Sequence, residues 1–306
     1  MNEEAKKVAI VTGANTGLGL ETSRALAKTH LVVLACRSAE KATAAMANIK
    51  LDLPAAELDF IELDLIDRAS VVRFAETFKS RYPKLNLLVN NAGVMGPDYT
   101  ITANNLELQF DANHIGHFYL TSLLLDSLDQ EQETRIVNVS SLAAKRPWAD
   151  IHFDNLNFEG TYYDGPKRLG LSGMVAYSQS KLANVLFTME LKDRLERASK
   201  LIKAIVVHPG FSMSDLGRNM PLHLRLLTPI MGQFMGASKP TQGAESTVHA
   251  ALKADVSAGD FIGPTGKNEM KGSPGLVPLP DKASDKSLCE RLWSLSEEEL
   301  GIRFEI

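Results

Sequence analysis

Tyr177 and Lys181 stand four residues apart in Ala176–Phe187, a segment that reads as a helix, so the spacing puts a phenol and an ammonium on one face. A free phenol has a pKa of about 10, too high for ready proton exchange near neutrality. A neighbouring ammonium favours the phenolate and lowers that value. Tyr177 can then give a proton to a carbonyl oxygen or take one from an alcohol. The spacing alone also occurs on ordinary helices, and its weight comes from what lies upstream. Val8-Ala-Ile-Val-Thr12 reads as a strand and breaks into Gly13-Ala-Asn-Thr-Gly17-Leu-Gly19, with a helix opening from Leu18. A glycine-rich turn between strand and helix lets the backbone approach a nucleotide pyrophosphate, whose charge rests on the unpaired N–H groups of the helix start. Together the two features imply hydride chemistry between a carbonyl and an alcohol.

A second strand-like run ends at Cys36-Arg37-Ser38, and Arg37 lies twenty residues beyond Gly17. An acid at that position would bind an adenosine ribose hydroxyl, whereas an arginine accommodates a 2′-phosphate. Arg37, with Ser38 and Lys41, therefore favours NADP(H); a solvated surface arginine is the plain alternative.

The elements that must position these residues alternate. Val8–Thr12, Leu31–Cys36, Leu58–Leu63, Leu87–Asn91, Arg135–Ser140 and Ile202–His208 are short runs rich in Val, Ile and Leu, as in strands buried on both faces. Helical patterns lie between them. Val71, Phe74, Ala75 and Phe78 form one apolar stripe, with Ser70 placed to cap it. Alternation of this kind implies an α/β fold, a doubly wound, Rossmann-type parallel sheet of about seven strands with helices on both faces. No repeat or low-complexity linker divides residues 1–306, which read as one catalytic domain. Two apolar stretches interrupt the rhythm. Residues 145–173 carry Trp148, Phe153, Phe158, Tyr162 and Tyr163, and residues 212–240 carry Met213, Phe234 and other Met, Leu and Ile side chains. Both flank the chemistry-bearing residues and read as substrate-pocket walls, the alternative being that they cap the core.

The formal net charge of -4 gives no nucleic-acid surface and no polybasic membrane patch. Only Cys36 and Cys289 are present, too few for a disulfide framework, and no signal-peptide core or membrane-length apolar run is seen. A cytoplasmic protein without an integral membrane segment is expected. His114 and His117 invite a metal reading, but no acidic or cysteine partner stands at ligand spacing, so no metal is expected. Neither a P-loop lysine nor a G-x-S-x-G elbow is found.

Thr12-Gly-Ala-Asn-Thr-Gly-Leu-Gly19, Asp64-Leu65, Asn90-Asn-Ala-Gly93, Asn113, Val137-Asn-Val-Ser-Ser141, Tyr177-x-x-x-Lys181 and Pro209-Gly210 follow in an order that resembles the short-chain dehydrogenase/reductase family. Ala35-Cys-Arg37, Asn113-His-Ile-Gly-His-Phe118, the long interval from Ser141 to Tyr177, and Leu292-Trp-Ser-Leu-Ser-Glu297 resemble its retinol dehydrogenase and protochlorophyllide reductase branch. The resemblance implies a catalytic set of Asn113, Ser141, Tyr177 and Lys181. In it Ser141 bonds the substrate oxygen, Lys181 also holds the nicotinamide ribose, and Asn113 kinks its helix and supports a proton relay. It implies cofactor contacts from Gly13, Asn15, Thr16, Gly17, Leu18, Gly19, Arg37, Ser38, Asp64, Leu65, Asn91, Ala92, Gly93, Tyr177, Lys181, Pro209, Gly210, Ser212 and Ser214. The expected partner is a small hydrophobic ketone, aldehyde or alcohol, and the expected state a monomer or homodimer. A reductase of ring double bonds, or a dinucleotide sensor without turnover, are the alternatives. The cysteine usual at position 90 in protochlorophyllide reductases is replaced by Asn90, which counts against the first. The intact catalytic set counts against the second, since a binder needs no proton donor.

Overall fold

A computed structural model describes residues 6–160, 172–211 and 239–306. Chain order begins β1 (Lys7–Thr12), α1 (Gly17–Leu26), β2 (His30–Cys36), α2 (Ala39–Asp52), β3 (Leu58–Glu62), α3 (Arg68–Arg81) and β4 (Leu87–Asn90). A composite helix follows: α4 (Leu108–Phe110), a π-helical segment Asp111–Ile115, and α5 (Gly116–Leu124). Then come β5 (Thr134–Val139), α6 (Ser172–Arg197), β6 (Ile202–Val207), α7 (Pro240–Leu252), β7 (Phe261–Pro264), β8 (Pro274–Leu276) and α8 (Lys286–Leu300).

The strands form one sheet in the order β3-β2-β1-β4-β5-β6-β7-β8. The seven strands β1 to β7 are parallel, and β8 runs antiparallel to β7. This is the expected doubly wound architecture with one strand more than the sequence suggested. The six expected strands lie within a residue or so of their observed bounds, while β7 and β8 went unread. Phe261–Pro264 is only four residues long and closes on Gly-Pro, and Pro274–Leu276 starts on Pro-Gly. Proline and glycine are depleted in strands, and a short edge ladder tolerates them.

The order reverses between β1 and β4, which separates the two crossovers and opens a crevice at the carboxyl ends of those strands. One face of the sheet packs Ile10, Val33, Leu88 and Ile136 against Phe74, Phe78, Phe118 and Trp293, and the other packs Val11, Leu34, Val89 and Val207 against Leu26, Ile49 and Ala250. Pleating sends alternate residues of one strand to opposite layers, so a strand buried twice has no polar face. The α3 stripe is buried as expected, but its cap is corrected. Asp67 caps the helix by accepting from the Ala69 N–H, and Ser70 lies inside the first turn, its hydroxyl accepting from the Asp64 N–H at 3.0 Å. An N-cap must have an extended backbone, which Asp67 has.

In the first insertion, Ala149 and Ile151 are buried in a third cluster with Phe261 and Leu292, and Phe153 and Leu156 pack beside them. Phe158 packs on Ala176, and Trp148 is exposed. Tyr162, Tyr163 and the 212–238 stretch lie outside the described residues. No described helix is long and apolar enough to cross a membrane.

Candidate active site

Thirteen of the expected cofactor contacts line one cleft above the β1/β4 reversal: Gly13, Asn15, Thr16, Gly17, Leu18, Gly19, Arg37, Ser38, Asp64, Leu65, Asn91, Ala92 and Gly93. The turn is built as the spacing required. Gly13 and Gly17 take positive φ values of 65° and 54°, the left-handed region that penalises a side chain. Gly19 is fixed by proximity: a Cβ there would lie 2.3 Å from the Gly13 carbonyl oxygen and 2.6 Å from Asn91 Nδ2. That amide donates to the Thr12 carbonyl at 2.7 Å, so Asn91 props the turn from below. The amino end of α1 opens into the cleft. Arg37 is exposed on the opposite wall and makes no hydrogen bond or ion pair with another described residue. Ser38 caps α2, its hydroxyl accepting from Lys41 N–H at 3.2 Å.

The sequence missed Ile66, Val94, Leu108 and Ala112, which complete the wall. They belong to loops, to α4 and to the π segment, whose signal is local adjacency to Leu65, Gly93 and Asn113 rather than any motif. Gly116 belongs with them, since its Cβ would lie 2.5 Å from the Leu65 carbonyl oxygen. It lets the composite helix close on the loop after β3.

Asn113 lies in the π segment, where the Gly116 N–H reaches back to the Asp111 carbonyl. Its side chain accepts from Val94 N–H at 2.8 Å and donates to the Val94 carbonyl and to Ser180 Oγ, both at 2.9 Å. It therefore joins the loop after β4 to α6. A Cβ on Gly93 would lie 3.2 Å from Asn113 Oδ1 and 3.4 Å from Lys181 Nζ, which places both groups at the cleft's edge. Lys181 Nζ donates to the Val139 carbonyl at 3.0 Å and sits 5.8 Å from the Tyr177 ring centroid. The Ser141 hydroxyl lies beside the Tyr177 phenol, close enough to favour the phenolate, and its Oγ accepts from Ala143 N–H at 3.2 Å. Ser140 is turned away, donating to the Lys181 carbonyl at 2.7 Å. Of the two adjacent serines, Ser141 is the one beside the phenol.

Charge in this group departs from the sequence expectation. Burial pushes the Tyr177 phenol up to about 12, with the Ser141 hydrogen bond opposing, and pushes the Lys181 ammonium down to about 8. The expected lowering of the phenol by the ammonium is outweighed, because desolvation disfavours the charged form of both.

After β6, Gly210 takes φ 69° and its N–H donates to His208 Nδ1 at 3.1 Å. His208 Nε2 meets Glu269 Oε2 at 2.9 Å, and Lys145 Nζ meets the same oxygen at 2.5 Å. Pro209 and Gly210 are thereby tied to the segment that carries Ser141. Ser212 and Ser214 lie outside the described residues. Among the described residues no group of three His, Cys, Asp or Glu is arranged to share a metal ion. His117 turns toward the cleft, and His114 turns into the core, where its Nε2 meets Ser296 Oγ at 2.9 Å.

A sequence profile described as short chain dehydrogenase matches residues 7–152. Retinol dehydrogenase 12 of Mus musculus is 37% identical over 302 residues, covering 98% of this chain and 88% of that protein. Retinol dehydrogenase 14 of the same species is 36% identical over 312 residues, covering 97% and 86%. The chain belongs to the short-chain dehydrogenase/reductase family. Within that family it is similar to the retinol dehydrogenases over nearly its whole length, and it is an oxidoreductase of the kind that works with a nicotinamide dinucleotide. A crystal structure of a protein from Mycobacterium Paratuberculosis superposes with a TM-score of 0.79 at 34% identity, covering 99% of this chain and 96% of that one. Salutaridine reductase from Papaver somniferum shares the short-chain dehydrogenase/reductase fold at a TM-score of 0.62 and 22% identity, covering 84% and 99%.

Proposed function

We propose that this chain is an NADP(H)-dependent oxidoreductase that interconverts a hydrophobic ketone or aldehyde and its alcohol, with Tyr177 as the acid and base. The observation that carries the reading is the Tyr177–Ser141 contact, with the Lys181 ammonium beside it, at the edge of a dinucleotide-shaped cleft. The cleft suits the cofactor: Gly19 lets helix α1 close on the Gly13 turn, helix α1 offers its N–H groups, and Arg37, which has no partner among the described residues, offers its guanidinium to a 2′-phosphate.

A bound nicotinamide dinucleotide would supply the hydride. The chain's own residues handle the proton. Ser141 holds the substrate oxygen by a hydrogen bond, and the Tyr177 hydroxyl gives its proton to that oxygen as negative charge develops. A phenol with a pKa near 12 remains protonated at neutral pH, the form a reduction requires. The Lys181 ammonium then stabilises the phenolate left behind. Asn113 keeps the loop after β4 fixed against α6, so that Lys181 and Gly93 hold their separation. With a pKa near 8, Lys181 loses its charge as pH rises past that value, so turnover should fall on the alkaline side. We read residues 1–306 as one catalytic domain, and the buried free thiols Cys36 and Cys289 favour the reducing cytoplasm.

The names of the relatives put retinal and retinol first in a panel of apolar carbonyls and alcohols, assayed with NADPH, NADH, NADP and NAD. Turnover with NADPH exceeding that with NADH supports the assignment. An NADH preference, or no turnover of any apolar carbonyl or alcohol with either cofactor, overturns it.

A further inference from the structure

His117 is buried, and the proton chemistry of Tyr177 does not use it. Its two ring nitrogens nevertheless touch the end of β1 and the π segment that carries Asn113. Nε2 lies 2.9 Å from Thr12 Oγ1 at the end of β1, and Nδ1 lies 3.0 Å from the main-chain carbonyl of Asn113. Thr12 Oγ1 already accepts two hydrogen bonds, from Asn91 N–H at 2.9 Å and Ala92 N–H at 2.8 Å. Both lone pairs are therefore used, and the hydroxyl proton needs an acceptor. The Val89 carbonyl is distant at 3.4 Å, which leaves His117 Nε2. That nitrogen must be bare, so the ring proton sits on Nδ1, where it is aimed at the Asn113 carbonyl. One tautomer satisfies every group in the chain of contacts. Burial, with the Lys181 charge adding to it, holds the imidazole down at about 4, so it stays neutral in use.

We propose that His117 is a positioning residue that ties the cofactor-loop turn Asn91–Gly93, through Thr12, to the Asn113 carbonyl. Thr12 presents its hydroxyl oxygen to two consecutive N–H groups only while its own proton is taken by His117. Asn113 keeps its carbonyl turned toward His117 only while Nδ1 donates to it. The proposal rests on the reading of this cleft as a dinucleotide site with a proton donor at its edge.

Two amide substitutions separate the two contacts. Asparagine at 117 places an amide nitrogen near the position of Nδ1 and leaves Thr12 without an acceptor. Glutamine reaches the position of Nε2 and leaves the Asn113 carbonyl without its donor. His117→Asn should weaken NADPH binding, read as Kd by isothermal titration, by about twofold to tenfold, the scale of one neutral hydrogen bond, with a smaller change in kcat. His117→Gln should do the reverse. Thr12→Val should also raise the NADPH Kd, and adding His117→Asn to it should raise the Kd no further, whereas Thr12→Ser should restore wild-type binding. Equal losses of Kd and kcat in both amide variants, tracking a lower melting temperature, would make His117 a core residue and overturn the proposal. Additive losses in the Thr12→Val/His117→Asn double variant would overturn it as well. Tyr177→Phe separates the two readings. If that variant keeps turnover while the binding pattern holds, the acid assignment fails and the tie survives. If it loses turnover while the binding losses add, the tie alone fails.

Discussion

Between β1 and β4 the site is built by backbone, whereas beyond β5 it is held by side chains that reach across long stretches of sequence. In the first region a left-handed turn, a helix start and three strand ends supply the cleft, and each lies within a few residues of its motif. In the second, Glu269 gathers Lys145 and His208, Lys282 reaches the Ala149 carbonyl at 3.0 Å, and Ser296 meets His114. Asn268 and Glu269 both adopt positive φ, 54° and 55°, a strained turn held by those contacts. On the proposed reading, the first region places the cofactor through geometry that any similar turn would repeat, and the second places the reacting groups through partners particular to this chain.

If that division is right, damage to the two regions should read out differently. The largest effect is expected in the aromatic cluster of the second. Trp293 is buried, stacks on Phe304 at 4.8 Å between centroids and meets Phe118 edge-on at 4.9 Å. Trp293→Ala should cost about 3–5 kcal/mol of stability by chemical denaturation, the scale for truncating a buried aromatic. The folded fraction should bind NADPH as before, and a parallel loss of affinity would blur the division.

Tyr177→Phe should lower turnover by at least about a hundredfold, with melting temperature and NADPH Kd little changed. Arg37→Ala should raise the Kd for NADPH by roughly tenfold to a hundredfold and leave that for NADH nearly alone, the mark of a charge-assisted bond to phosphate. Equal losses for both cofactors would show that Arg37 serves the wall and not the phosphate.

The smallest effect is a pH dependence of the second region. Burial holds His114 down at about 3 and His208 at about 4, against an ordinary 6.5. The unfolded chain therefore binds more protons than the native one between those values. Stability should be whole above pH 6.5 and fall as pH drops toward 4. His114→Phe, placed among Phe110, Phe118 and Phe187, should make that decline shallower in thermal melts. An unchanged slope would locate the acid lability elsewhere.

The same division explains what could be read from residues alone. The glycine turn, Arg37 and the Tyr177/Lys181 pair were legible because strand alternation and helix spacing place neighbours in sequence at one sheet edge, whereas Asp64-Leu65 was reached only through the family resemblance. The contact between Thr12 and His117 spans 105 positions, and that between His114 and Ser296 spans 182. No local pattern encodes either. The π segment was invisible because a helix with i→i+5 bonds carries the same apolar stripe as one with i→i+4 bonds over a single turn. The Lys181 effect on Tyr177 was misjudged for a related reason: spacing gives proximity but not the desolvation of both groups.

The two tryptophans, both beyond β5, differ sharply in exposure. Trp148 is 48% exposed in the first insertion, and Trp293 is 1% exposed under an arginine whose guanidinium lies 4.2 Å from its ring centroid. The protein thus carries two intrinsic optical reporters of different colour. Emission from Trp148 should be red-shifted and open to iodide, and emission from Trp293 blue-shifted and shielded. Quenching followed during ligand addition and during unfolding would let one unlabelled sample distinguish motion of the first insertion from loss of the core.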